Sequence, residues 1–289
     1  MKWTAPSPVA RAGTAMFLLP LLPLLPLLPA CSSGEAPGPP AVRQVDDSRA
    51  LKLPLDAYLL TTSDLDVLVR GRESLVRACL ARIGAQYAPG APGASAIEDN
   101  ERRYGLADAE LAKKYGYHLP AGEKPAQEYP ASIVPLVSGE ATTFNGAPVP
   151  EGGCAGEARR ELHEAELQQG MEIPQRLNVE SYRKSQQDPA VTEVGRKWSQ
   201  CMAESGHEYP DPMSAINDRE FSAATPGDHE KDVALADVLC KQKVNLIGVW
   251  SNTESTYQQA LIASNTDVLA RHLLAKQKTM ELARAAIRP

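Results

Sequence analysis

The sequence predicts a mainly α-helical protein: a disulfide-linked helical bundle with a proline- and glycine-rich insertion that is irregular or forms a small β-hairpin. Only three Phe and three Trp are present, so the core must be built mostly from Leu, Val, Ile and Ala, which favours packed helices over a β-sandwich. Apolar residues recur at helical spacing in several segments. An even set of four cysteines indicates two disulfides; these are Cys79, Cys154, Cys201 and Cys240.

The first thirty residues have the composition of a bacterial export signal. Residues 1–15 contain two basic residues and no acidic one, and residues 16–29 are only Met, Phe, Leu and Pro. This run is shorter than the roughly 20 apolar residues of a membrane-spanning helix, and its prolines would break one. Ala30 before Cys31 matches the cleavage context of lipoproteins, so we predict a lipoprotein signal peptide over residues 1–30 and a diacylated (palmitate-type) Cys31. The alternative is ordinary signal cleavage nearby, without lipid.

Residues 31–53, rich in Pro, Ser and Gly at their start, are predicted to be a tether, and residues 54–289 an extracytoplasmic helical domain with a possible subdivision near residue 172. Removing residues 1–30 leaves 30 − 2 = 28 basic against 36 acidic side chains, a net charge of −8. This charge argues against a nucleic-acid partner and against a polybasic attachment to anionic lipid. The predicted contact with the membrane is therefore the lipid anchor.

In the first half of the domain, Ser63 and Asp66 resemble a capping box, and apolar residues from Leu65 to Ile83 then follow helical spacing up to Gly84. Residues 88–96 are predicted to be a loop, and residues 108–115 a short helix closed by Gly116. Within the proline- and glycine-rich residues 119–153, the pieces 134–137 and 142–144 are candidates for a paired hairpin.

In the second half, Gly152 and Gly153 open a helix that includes Cys154 and is expected to be charged and solvent-facing through Glu164 and Glu166. Asp188-Pro189 predicts a helix start, and that helix ends at Gly206. Thr225-Pro226-Gly227-Asp228 predicts another start. Cys201 and Cys240 then lie on the apolar faces of two helices in a hairpin, so of the three possible connectivities we favour Cys201–Cys240 with Cys79–Cys154. Whether residues 228–287 form one helix or restart near Ser251 and Glu254 stays open.

Motifs of catalysis or metal binding are missing from the sequence. The five histidines are scattered, and no Cys-x-x-Cys pair, nucleophile elbow or glycine-rich phosphate loop occurs. No cofactor, catalytic residue or metal ligand is predicted. Trp198 is expected to pack in the core beside a disulfide, with stacking on a ligand as the alternative. Tyr104, Tyr117 and His118, with Tyr115, are weak candidates for a ligand pocket.

Two cysteine contexts carry a family resemblance: residues 152–160 (GGCAGEARR), and Trp198-Ser199-Gln200-Cys201-Met202 followed by residues 236–240 (ADVLC). Over roughly residues 62–289 the chain resembles uncharacterised secreted lipoproteins of actinobacteria, of the Streptomyces type. The resemblance implies a helical, disulfide-linked extracytoplasmic domain. It also implies a gene neighbourhood with export transporters and peptidoglycan-binding components, and it identifies no catalytic residue.

Together these observations predict a lipid-anchored protein on the outer face of the cytoplasmic membrane. The expected role is non-enzymatic binding or scaffolding in the cell envelope, with an envelope or transporter protein as the candidate partner. Two alternatives are an extracytoplasmic receptor that passes a small ligand to a transporter, and an envelope hydrolase with a dispersed site. The near absence of strand patterns disfavours a two-lobed receptor.

Overall fold

The computed structural model describes residues 42–88, 98–120 and 128–288, and this part of the chain is mainly helical, as predicted. The predicted signal peptide, Cys31 and most of the predicted loop at residues 88–96 lie outside the described residues. The helices are α1 (Thr62–Arg82), α2 (Ala109–Tyr115), α3 (Val134–Ser138), α4 (Gly153–Glu161), α5 (Glu164–Gln186), α6 (Pro189–Glu204), α7 (Pro212–Ile216), α8 (Asp228–Val244), α9 (Leu246–Ser264) and α10 (Thr266–Ile287). Two short strands, β1 (Thr143–Phe144) and β2 (Ala147–Pro148), pair antiparallel, and 3-10 turns occupy Pro54–Ala57 and Arg219–Phe221.

Helices α2, α6, α8 and α9 pack around the larger core, which we call the aromatic core. Its buried side chains include both tryptophans of the described chain; the largest are Tyr104, Tyr117, Trp198, Met202, Phe221, Leu246 and Trp250. Trp198 is fully buried, which confirms its predicted place in the core. Burying side chains of this size is the main source of stabilisation in this half of the molecule.

Helices α1, α3 and α4 enclose the smaller core, which we call the aliphatic core. Its buried members are Val76, Cys79, Leu80, Ile83, Ala85, Ile133, Leu136, Val137, Cys154 and Ala158. Here the backbones themselves are in contact: a Cβ added at Gly153 would lie 2.2 Å from the carbonyl oxygen of Val137. Gly153 also has a φ of 70°, so glycine is required there for both reasons.

The two long helices α5 and α10 join these cores. α10 packs against both α1 and α5, and α5 also packs against α9. The contact between α1 and α10 is close, because a Cβ on Gly71 would lie 2.8 Å from Ala283. α5 continues without a break through residue 172, where the sequence allowed a subdivision.

Both predicted disulfides are confirmed. Cys79 of α1 is bonded to Cys154 of α4, with Cα atoms 5.6 Å apart, inside the aliphatic core. Cys201 of α6 is bonded to Cys240 of α8, with Cα atoms 5.7 Å apart, inside the aromatic core. The predicted hairpin of α6 and α8 is therefore present, and α7 lies in the segment that connects them.

The predicted pairing of residues 134–137 with 142–144 is wrong. Pro135 lies in the first turn of α3, where proline has no hydrogen bond to lose, and residues 134–138 become a helix. The hairpin forms instead between β1 and β2, around Asn145 and Gly146, which both have positive φ. The prediction of a small hairpin in this insertion holds, but its strands are different ones.

The helix that opens at Gly152-Gly153 is also shorter and more buried than predicted. It ends at Glu161, and His163, with a φ of 55°, separates it from α5. Glu164 is not on a solvent-facing surface: it is 3% exposed and accepts two hydrogen bonds of 2.9 Å from the Arg72 guanidinium of α1. A partner 92 residues away gives no signal in the local sequence.

Other boundaries shift by a few residues. The capping box of α1 joins Thr61 and Asp64, not Ser63 and Asp66, and two residues of its apolar pattern, Leu65 and Val69, are exposed. Residues 228–287 form three helices, not one. The first break falls at Asn245, whose φ of 54° is a conformation that asparagine tolerates better than most residues, and Ser251 and Glu254 lie inside α9.

The last part of the predicted tether belongs to the folded body. Leu53 is 4% exposed, and Ser48 donates a hydrogen bond of 2.5 Å to the carbonyl oxygen of Glu101. The backbone N–H of Val45 donates to the side-chain oxygen of Asn245 at 3.2 Å. Apolar residues such as Val45 and Leu53 give this segment something to bury, which the residues nearer Cys31 lack.

Candidate functional site

A groove lies along the outer side of α6, and we call it the α6 groove. It encloses about 710 Å³ between the end of α5, the start of α9 and the segment 210–213 that leads into α7. Its apolar lining comes from Val191, Ala203, Pro210, Pro212, Met213, Leu246 and Trp250. Its polar lining comes from Gln186, Gln187, Thr192, Arg196, Ser199, Gln200 and Asp211.

The sequence produces this groove by omitting a side chain in the middle of α6. Gly195 lines the groove, and a Cβ built on it would meet no other atom within 4 Å. Glycine in a helix interior lowers stability by about 0.5–1 kcal/mol relative to alanine, so α6 forms despite this residue. Its strong start at Asp188 and Pro189, together with the burial of Val191, Val194 and Trp198, offsets the loss.

Hydrogen bonds fix the opposite wall. Ser199 donates to the carbonyl oxygen of Tyr209 at 2.6 Å, and the Tyr209 hydroxyl donates to Asp218 at 2.8 Å. Asp211 caps α7 by accepting from the backbone N–H groups of Met213 and Ser214 at 2.9 and 3.0 Å. Tyr209 and the segment 210–213 that follows it are therefore held in place by hydrogen bonds to Ser199 on α6 and to residues of α7 and the turn after it.

The floor of the groove is formed by a tryptophan that is firmly held from behind. Trp250 is 4% exposed, and its indole N–H donates to the Ser185 hydroxyl at 2.9 Å. Its ring lies 5.5 Å from that of Tyr182 and 5.2 Å from that of Tyr104. These distances are typical of aromatic pairs, which resist displacement of the ring.

Behind these rings lies a buried polar cluster centred on Glu254, which is fully buried. Its carboxylate accepts hydrogen bonds from the Tyr104 hydroxyl at 2.7 Å, from Ser181 at 2.9 Å and from Gln258 at 3.0 Å. Arg103 supplies the compensating charge. Burial, together with the Glu254 charge, raises the pKa of Tyr104, so this hydroxyl stays protonated and acts as a donor.

A second buried cluster is centred on Asp237, beside the Cys201–Cys240 disulfide. Its carboxylate accepts hydrogen bonds from the Trp198 indole N–H at 2.9 Å and from the Lys241 ammonium at 2.8 Å. Lys241 also donates to the carbonyl oxygen of Leu106 at 3.1 Å. Burial raises the pKa of Asp237 and lowers the pKa of Lys241, although each partner opposes that change in the other.

The four ligand-pocket candidates from the sequence do not line the α6 groove. Trp198 serves the Asp237 cluster and Tyr104 the Glu254 cluster. The backbone N–H of Tyr117 donates to Glu230 at 2.8 Å, and His118 Nε2 lies 3.3 Å from the same carboxylate. Burial raises the pKa of Tyr117. Tyr104, Tyr117 and His118 therefore hold the segment 104–118 against α8 and α9, which is a structural role.

The residues that form the groove were missed by the sequence analysis. Leu246 and Trp250 come from α9, and the wall comes from residues 210–213, so only the tertiary fold brings them to α6. The one local signal is Gly195, an isolated glycine inside an otherwise well-patterned helix.

The charged residues of the groove are already engaged with other groups. The Arg196 guanidinium lies 2.9 Å from Glu193 on the same helix, and Asp211 is occupied by the cap of α7. Among the residues that the structure describes, no group of three or more His, Cys, Asp and Glu side chains is placed to hold a metal ion. Within the same residues, no helix has the length and apolar character needed to cross a membrane.

The first described residues, Val42 and Arg43, lie beside the groove. The side-chain amide of Asn245 donates to the carbonyl oxygens of Val42 and Arg43 at 3.3 and 3.2 Å. The next residue, Leu246, is part of the groove lining. The residues at the start of the described part of the chain are thus next to the groove floor.

Comparisons of the chain with protein-family models, curated proteins and solved structures find no match.

Proposed function

We propose that this protein is a lipid-anchored binding protein of the cell envelope that recruits a partner through the α6 groove, without an enzymatic step of its own. The observation that carries the proposal is the groove itself, an open cleft of about 710 Å³ with an apolar floor and an amide-bearing rim. Sites of about 300–1,000 Å³ with an apolar lining and a few polar groups are typical of ligand binding.

The proposed location rests on the leader and the cysteines. Residues 1–30 have the composition of a signal peptide, and Cys31 stands where lipoproteins are acylated. Two disulfides in one chain are typical of proteins that fold outside the reducing cytosol. The two acyl chains of a diacylated Cys31 would hold the protein at the outer face of the membrane, because each buried methylene group contributes about 0.8 kcal/mol.

The buried carboxylates support binding over hydrolysis. Glu254 and Asp237 are both fully buried in the core, are saturated by hydrogen bonds and do not line the groove. The carboxylate that does line it, Asp211, is engaged in capping α7. A general acid or base needs access to its substrate, and these groups are committed to holding the fold.

A second candidate function, a receptor for a small neutral ligand, has one observation in its favour: the groove volume suits a small molecule as well as part of a partner protein. The two candidates differ in what the groove retains. A receptor would bind the free ligand, whereas a recruiting protein would bind a segment that is covalently part of another protein.

The proposal is tested with a photo-crosslinking side chain at Thr192, an exposed rim position, in the full chain expressed in its own cells. We expect a cross-link to an envelope protein in the membrane fraction, and its loss in Gly195→Leu, which fills the groove. Gly195→Ala is the matched control and should retain the cross-link. Cys31→Ser should release the protein from the membrane; cross-links that survive Gly195→Leu unchanged would contradict the proposal.

A further inference from the structure

We infer that the occupant of the α6 groove is a short, extended, uncharged peptide segment with an apolar side chain, presented by the extracytoplasmic part of a membrane protein. This inference rests on the proposed function and specifies its ligand. Four features of the groove carry it: the amide groups of the rim, the charged groups that are already engaged with neighbours, the apolar lining and the position beside the predicted tether.

The rim offers the hydrogen bonds that a peptide backbone needs. Gln186 and Gln187 at the end of α5, and Gln200 on α6, line the groove, and Gln200 already donates one N–H to Glu204 at 3.2 Å. Each glutamine amide has a carbonyl acceptor and an NH₂ donor, which match the N–H and C=O groups of an extended strand. A peptide that enters a partly apolar groove must pair these backbone groups, because a buried unpaired one is costly.

The electrostatics of the lining select against a charged occupant. Arg196 is paired with Glu193, and both carboxylate oxygens of Asp211 accept hydrogen bonds from α7. A ligand carboxylate would find Arg196 already paired with Glu193, and a ligand ammonium would have to compete with the hydrogen bonds that Asp211 already accepts. Either charged group would also lose hydration. Neutral segments avoid this penalty, so charge complementarity favours an uncharged peptide.

The floor suits one or two apolar side chains. Val191, Leu246 and Trp250 are buried residues whose edges face the groove, and Gly195 leaves the space above them open. Met213 on the opposite wall is flexible and polarizable, so it can adapt to side chains of different shape. An apolar anchor in such a pocket commonly supplies most of the binding energy of a peptide.

The position of the groove identifies the partner as membrane-bound. Asn245 holds the first described residues, Val42 and Arg43, and its neighbour Leu246 lines the groove. Val42 follows Cys31 by eleven positions, and a chain of that length spans at most about 40 Å even when fully extended. With Cys31 acylated, the groove therefore stays within reach of the extracytoplasmic loops of membrane proteins.

The peptide chemistry is tested with the full-length chain in detergent micelles and three fluorescein-labelled sets of octapeptides. The peptides are acetylated and amidated; one set is neutral with a central Leu, and the matched sets carry Asp or Lys in its place. We expect fluorescence anisotropy to show tighter binding of neutral peptides, weakened about tenfold or more by Gly195→Leu and by less than about twofold by Gly195→Ala. Circular dichroism of both variants checks that the helices are intact.

Two results would overturn the inference: charged peptides that bind as well as neutral ones, or peptide binding that Gly195→Leu leaves unchanged. The Thr192 cross-link distinguishes a failure of the proposed peptide chemistry from a failure of the proposed binding function. A cross-link to a membrane protein without neutral-peptide binding would refute the peptide chemistry and keep the binding function. Cross-linking only to free small molecules or to proteins of the soluble fraction would refute the membrane partner, and no cross-link at all would refute both.

Discussion

Two Asp–Lys ion pairs in different regions of this protein have the same N–O distance, but the pKa of the aspartate is shifted in opposite directions. Asp237–Lys241 lies in the aromatic core with side-chain exposures of 0% and 1%, and Asp64–Lys276 lies between α1 and α10 with exposures of 16% and 10%. Both pairs have an N–O distance of 2.8 Å. Burial raises the pKa of Asp237, whereas at Asp64 the opposing hydrogen bonds of Lys276 and Thr61 outweigh burial and lower the pKa.

Because the two distances are equal, the greater burial of Asp237 accounts for the opposite directions of the two pKa shifts. At Asp64 the lowered pKa means that the folded state favours the charged carboxylate, so the pair stabilises the protein. At Asp237 the hydrogen bonds from Lys241 and Trp198 offset only part of the free-energy cost of burying the carboxylate. The Asp237–Lys241 pair instead fixes the position of a neighbouring segment. Lys241 donates a hydrogen bond to the carbonyl oxygen of Leu106, which holds the segment that carries Tyr104.

A large effect is expected from breaking the buried pair. Asp237→Ala leaves the Lys241 ammonium without its counter-charge inside the core, and we expect a loss of about 3–5 kcal/mol in the free energy of unfolding, measured with urea. The double variant Asp237→Leu, Lys241→Met carries neither charge and should recover most of this loss. A double variant as unstable as the single one would contradict the view that the unpaired charge is responsible.

A loss of similar size is expected from removing either disulfide, and its magnitude should differ between the two cores. The chain-entropy relation gives about 4.5 kcal/mol for Cys79–Cys154, which spans 75 residues, and about 4 kcal/mol for Cys201–Cys240, which spans 39. Paired Cys→Ala variants should therefore both be strongly destabilised, with the aliphatic core slightly more affected. Urea unfolding of the two variants under the same conditions checks the order, and a markedly larger loss at Cys201–Cys240 would reverse it.

The α1–α10 pair predicts a dependence on pH. The pKa of Asp64 is below its ordinary value of 3.8, so its stabilisation is complete above that value and disappears as the pH falls through the folded-state pKa. Asp64→Asn should cost about 1.5–3 kcal/mol at pH 7, as for hydrogen bonds to charged groups, and much less near pH 2. Thermal unfolding over this range tests it; a difference that does not change with pH would rule out the charge as the cause.

The smallest effect should have the opposite sign. Gly195 lies on α6 over the aromatic core, and an added methyl group would meet no neighbour within 4 Å. Gly195→Ala should therefore raise the free energy of unfolding by about 0.5–1 kcal/mol through helix propensity alone. A destabilised Gly195→Ala variant in urea unfolding would show that the groove is not open at this position.

Much of the fold could be predicted because its signals are local. Asp188 followed by Pro189 marks the start of α6, and Cys201 and Cys240 stand on apolar helix faces, which was enough to pair them. The wrong predictions concern features set by distant residues: Glu164 is buried because Arg72 reaches it. Residues 134–137 were too few for their period to separate a strand from a helix, and Pro135 decided for the helix.

The candidate site was less predictable than the fold. Large aromatic residues suggested a pocket at Tyr104 and Tyr117, but their size makes them core residues, and they support the groove from behind. The groove depends on an absent side chain at Gly195 and on walls brought together from α5, α6, α9 and the segment before α7. Sequence patterns indicate where side chains pack, but they do not indicate where the fold leaves a space open.

The lipid anchor and the two disulfides are tested most directly by the intact mass of the protein extracted from membranes of its own cells. We expect a chain that starts at Cys31, carries a diacylglyceryl group, and is lighter by four hydrogens than the reduced form because of two disulfides. An intact leader, a free thiol at the first residue, or four thiols that react with an alkylating agent without prior reduction would contradict it.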